Sequence, residues 1–189
     1  MEISYTLIVA LMYVTIISFG LAGLLSSLST ILQKANSRTV CGVQLHWILI
    51  LLIVHFNMTW HAVYLTGVES WTYFGFIAVV FGPILGFFTA NFLSPNTGGK
   101  ATKNDSIENY LSIKTKIISL FLAIQLWTLI IDRVIGRGFV ESAYFNFGLI
   151  GVSLYMLLSK KYTSQQYGIA IIWTLLLVAI ALRASRIIE

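Results

Sequence analysis

Apolar residues fill this chain in six long blocks, and the short stretches between them hold most of its charge. The blocks cover residues 4–32, 44–68, 71–93, 112–135, 140–159 and 167–184. A helix needs about 20 mostly apolar residues, with a range of roughly 17–25, to cross the hydrocarbon core of a bilayer. Each block meets that length, so the pattern predicts an all-α fold, a polytopic membrane bundle with six transmembrane helices. The connections are too short for a soluble unit, and residues 1–189 read as a single transmembrane domain. The longest connection, residues 94–111, mixes Gly, Asn, Ser and Lys without an apolar period and is expected to be a mobile cytoplasmic loop.

Composition agrees with the pattern. Hydrophobic residues make up 58% of the chain and charged residues 10%, against about 25% charged in soluble domains. The net charge of +5 would suit nucleic acid if the basic residues formed one patch, but they are spread between spans. Lys34, Arg38, Lys100, Lys103, Lys114, Lys116, Lys160 and Lys161 flank the first, third and fifth connections, while Arg133, Arg137, Arg183 and Arg186 lie toward the other side. Eight of the twelve basic residues thus mark one side, which the positive-inside rule assigns to the cytoplasm, with the N-terminus outside. The expected partners are the lipid bilayer and not nucleic acid. No Lys or Arg precedes the first span and no small-residue cleavage site follows it, so this helix is expected to be retained. Cys41 is the only cysteine, which excludes an intrachain disulfide and a thiolate metal cluster within one chain.

The polar residues inside the spans are the candidates for function. Span 2 carries all three histidines. At about 100° per residue, His46, Asn57, His61 and Tyr64 fall within about 60° of one another, with His55 and Thr59 opposite. A helix polar on two faces is unfavourable in lipid, so span 2 is expected at the centre of the bundle, where each histidine equally suits an interhelical hydrogen bond. In span 4, Gln125, Thr128 and Asp132 share one face at the same depth as the span 2 stripe. Asn57, His61, Tyr64, Gln125, Thr128 and Asp132 are therefore the candidate lining of a substrate or ion pathway. Asp132, at the outer edge, is expected to pair with Arg183, Arg186 or His61. Gly82-Pro83 in the middle of span 3 predicts a helix break, because proline removes a backbone donor and clashes with the preceding turn. Broken helices at mid-membrane often carry transporter sites. Span 1 repeats Ser18, Ala22, Ser26 and Thr30 at four-residue spacing, a small-residue ridge that suits close helix packing within the chain or between subunits.

Several sharper chemistries fail at the residue level. No His-Glu-x-x-His zinc motif or Gly-x-Ser-x-Gly nucleophile elbow occurs. The Gly-Gly-Lys at residues 98–100 lacks the earlier glycine and the following Ser or Thr of a phosphate loop. Paired haem ligands within one chain would normally come from facing helices, whereas these histidines share one. No catalytic residue, metal site or cofactor is expected, and the chain does not read as an enzyme.

The stretch His55–Pro95, HFNMTWHAVYLTGVESWTYFGFIAVVFGPILGFFTANFLSP, resembles the second and third spans of a recurrent family of small bacterial six-span membrane proteins. The resemblance covers about a quarter of the chain. It implies a six-span bacterial inner-membrane protein and carries over no functional residue. Two functional readings stay open. One is a channel-like or transporter-like protein with a polar-lined pathway or binding site for an ion or small solute. The other is a non-transporting anchor or sensor subunit that forms a homo-oligomer and recruits a cytosolic protein partner through loops 33–43 and 94–111, as in bacterial defence cassettes.

Overall fold

The computed structural model of the protein describes residues 5–33, 42–68, 71–93, 103–134 and 142–187, with side chains in the last two segments over 107–131 and 143–182. They form six helices: α1 (Tyr5–Gln33), α2 (Gly42–Leu65), α3 (Tyr73–Phe92), α4 (Lys103–Val134), α5 (Ser142–Leu158) and α6 (Tyr162–Ile187). In hydrocarbon every backbone donor and acceptor must be satisfied within the segment, which a helix achieves. The hydroxyls inside the apolar runs satisfy themselves locally. Thr15 donates to the Leu11 carbonyl at 2.7 Å, Thr89 to Leu85 at 2.7 Å and Ser153 to Leu149 at 2.7 Å, so none of them interrupts its helix.

Five helices are long and apolar enough to cross a membrane, and α5 is shorter. Its 17 residues extend about 26 Å at about 1.5 Å per residue, against a hydrocarbon core of about 30 Å. The all-α, six-helix architecture expected is what the structure shows, with α5 the shortest of the six. The loop expected over residues 94–111 is corrected, since α4 is helical from Lys103 onward. Ile107, Tyr110, Leu111 and Lys114 follow the i, i+3, i+4, i+7 period of an amphipathic helix. Residues 94–102 lie outside the described residues.

Helix α3 starts at Thr72, whose hydroxyl accepts the Gly75 N–H at 3.0 Å, the usual N-cap arrangement. It then runs as one helix through Pro83. Gly82 is also a packing site. A methyl group at Gly82 would fall inside the indole of Trp127, and the Trp127 N–H donates to the Ala78 carbonyl one turn earlier. The absent side chain lets α4 press a large ring onto the α3 backbone beside the proline.

The helices do not pack in chain order. α1 lies against α2 and α3, α3 against α4, α4 against α5, α5 against α6, and α6 returns to α2, closing a ring. α2 also touches α3, and its Trp47 ring meets Phe121 of α4 edge-on at 5.1 Å. It is the most buried of the membrane-length helices, in line with the central position expected for span 2. One apolar cluster draws on all six helices, with Trp47, Ile118, Phe121, Leu149, Met156 and Ile172 among its members. A second, built from Tyr13, Ile17, Met58, Val79, Ile124 and Trp127 among others, draws on α1–α4 only.

Candidate functional site

At one end of the ring, the starts of α2, α4 and α6 meet the ends of α3 and α5, and buried polar side chains join them. Trp47 donates its indole N–H to the Tyr110 hydroxyl at 3.1 Å. Tyr110 donates to Oε1 of Gln165 at 3.2 Å, and Nε2 of Gln165 donates to the Met156 carbonyl at 2.8 Å. Lys114 donates to the Ser159 carbonyl just past the end of α5, and Gln44 donates to the Leu93 carbonyl at 2.9 Å. Trp47, Tyr110 and Gln165 have no exposure. Each donor points to the next acceptor, an arrangement in which successive bonds polarise and strengthen one another. The caps on Leu93, Met156 and Ser159 satisfy carbonyls that helix ends leave open. This network was not identified in the sequence because its members sit near span ends, where amphipathic side chains are ordinarily interfacial.

Deeper in the bundle, His55 is fully buried on the face of α2 that carries Met58, Ala62 and Leu65. Its Nδ1 lies 2.8 Å from the Leu51 carbonyl, which can only accept, so Nδ1 carries the proton and Nε2 presents a lone pair. No partner for Nε2 is found among the described residues. Gly20 of α1 and Gly86 of α3 make room for the ring: a methyl group would come within 2.5 Å of Nε2 from Gly20 and 3.1 Å from Gly86. Small residues thus let three helices close on one imidazole, and Gly20 lies beside, not on, the Ser18–Ala22–Ser26 ridge. Ser18, Ala22 and Ser26 are exposed on the outside of the bundle.

The pathway candidates lie in the half of the bundle away from the polar network. Asn57 and His61 are half-buried, Tyr64 is exposed, and the His61 and Tyr64 rings meet edge-on at 5.9 Å. Gln125 is buried, and Thr128 is half-buried with its hydroxyl donating to the Gln125 carbonyl at 2.7 Å. Met58 and Ile124, the neighbours of Asn57 and Gln125 in sequence, belong to one apolar cluster. The face of α2 that packs against α1 and α3 is the His55 face, and the Asn57–His61–Tyr64 stripe on the opposite side is half-buried to exposed. The side chains of Asp132, Arg183 and Arg186, and with them the expected outer ion pair, lie outside the described residues.

Helix α6 differs along its length. Gln165, Gly168, Ile169 and Ile172 are buried in its first half, and Gly168 admits the Met156 side chain of α5. Residues 173–182 are all half-buried or exposed. Burial along α6 is thus concentrated at the network end. Comparison with protein families, with characterised proteins and with solved structures finds no match for the chain.

Proposed function

We propose that the protein provides a polar-lined site or pathway for an ion or small solute in the half of the bundle away from the buried network. The observation that carries this reading is the asymmetry of the interior. A fully buried hydrogen-bonded network fills one end, and half-buried amide, imidazole and hydroxyl groups occupy the other. Polar groups at depth are unfavourable unless satisfied, and interior ionisable residues favour solute routes and proton relays. Asn57, Gln125 and Thr128 would supply neutral donors and acceptors, and His61 an imidazole that can both donate and accept.

Purified protein in liposomes, assayed for proton, cation and anion flux, tests this directly. Asn57→Leu and Gln125→Leu are each expected to slow flux about tenfold, the size of one lost polar contact. The absence of flux for every class, from protein that retains its helicity, would overturn the reading.

A second reading is favoured by α1. Its exposed Ser18, Ala22 and Ser26 form a ridge on which a second copy of α1 could pack closely, as expected of a homo-oligomerising anchor or sensor subunit with a cytosolic partner at residues 33–43 and 94–111. Cross-linking of an Ala22→Cys variant in membranes is expected to trap a dimer under this reading. A dimer without flux in liposomes favours it over the pathway.

A further inference from the structure

We infer that the α4–α5–α6 end of the bundle carries a site for the phosphate of an anionic phospholipid, seated on Lys114 and the turn between α5 and α6. Lys114 is only 8% exposed, yet the partner of its ammonium is the neutral Ser159 carbonyl. A buried cation without a counter-charge is strongly disfavoured, so this position calls for an anion. The α5 C-terminus supplies only partial negative charge. Glu108 is the one carboxylate among the described side chains; it is exposed, and six positions along α4 turn it about 120° away from Lys114.

The surroundings add positive charge. Lys160 and Lys161 are exposed immediately after Ser159, and the Lys161 backbone N–H lies 3.4 Å from the Ser159 hydroxyl. The first turn of the 26-residue α6 follows directly, at the positive end of the helix dipole. On the far side of α4, Lys116 stands over the Phe92 ring at 5.2 Å. These lysines sit at one level of the bundle, where a membrane helix passes from hydrocarbon to headgroups.

The choice of a lipid over a free anion rests on the apolar surface beside the lysines. Leu154, Tyr155 and Leu158 are exposed on the last turns of α5, with Leu158 at 83%. Tyr167 and Ile171 of α6 are exposed as well. Acyl chains can lie on this surface while the phosphate meets the ammonium groups, a combination that inorganic phosphate cannot use. Basic pockets between helices at a membrane surface favour anionic headgroups on the same grounds.

The test is a titration of the purified protein in neutral detergent with phosphatidylglycerol, phosphatidylcholine or sodium phosphate. Thermal midpoint is read by intrinsic fluorescence and retained lipid by native mass spectrometry. Phosphatidylglycerol is expected to raise the midpoint and remain bound, while the other two do neither. The Lys160→Gln, Lys161→Gln double variant, altered only at exposed positions, is expected to bind phosphatidylglycerol about thirtyfold more weakly, at about fivefold per lysine. Lys114→Met is expected to lose the response, measured against its own lipid-free midpoint because the change also removes the donor to the Ser159 carbonyl. An equal response to phosphatidylcholine, or undiminished phosphatidylglycerol binding in the double variant or in Lys114→Met, would overturn the site. An equal response to sodium phosphate would overturn its assignment to lipid.

Discussion

Gly82→Ala is expected to destabilise the bundle by about 3 kcal/mol, at the upper end for one added methyl group in a packed interior. The methyl would occupy the space of the Trp127 indole, which cannot retreat without giving up its hydrogen bond to Ala78. Unfolding by denaturing detergent, followed by far-ultraviolet circular dichroism, measures the loss. A double-mutant cycle identifies the cause. Trp127→Leu alone removes a large buried ring, at about 3–5 kcal/mol. In that background Gly82→Ala is expected to cost less than about 1 kcal/mol, because the clash is gone. Additive effects would mean that Gly82 is required by the α3 backbone itself and not by the ring packed on it.

Gln165→Leu is the second large effect, expected at about 2–3 kcal/mol in the same assay. The substitution removes the acceptor of the Tyr110 hydroxyl and the donor to the Met156 carbonyl in one step, in a region with no exposure. Interhelical hydrogen bonds in membrane proteins average only about 0.6 kcal/mol. The larger figure arises because buried groups stripped of a partner forfeit about 1–3 kcal/mol each. Adding Tyr110→Phe to Gln165→Leu is therefore expected to cost less than Tyr110→Phe does alone, since one of the stranded groups is then absent. Additivity of the two changes would show that Tyr110 and Gln165 contribute independently.

The helices were legible in the sequence because length and hydropathy suffice for a membrane span. Their order around the ring was not. Hydropathy says nothing about α1 lying against α3, a contact that depends on Gly20, Gly86 and Phe87 meeting around His55. The sequence did place His55 opposite the Asn57–His61–Tyr64 stripe, but a lone polar group on the second face gave no sign of how tightly it would be enclosed. The missing signal was glycine: residues without a side chain at matching depth on two other helices leave room for one buried ring. The beginning of α4 was legible in principle from Ile107, Tyr110, Leu111 and Lys114, yet the surrounding Asn, Ser and Lys masked that period. Gln165 gave no sign of its role, because a lone glutamine near the start of a span looks the same whether it caps a neighbouring helix or faces water.

The shortness of α5 has a bearing on the lipids as well as on the protein. Where its apolar length falls a few ångströms below the hydrocarbon thickness, the bilayer must dimple or the helix ends must draw headgroups and water inward, at fractions of a kcal/mol per ångström. Among the six helices α5 is the one on which a change of bilayer thickness would act first, thinner membranes suiting its length and thicker ones opposing it.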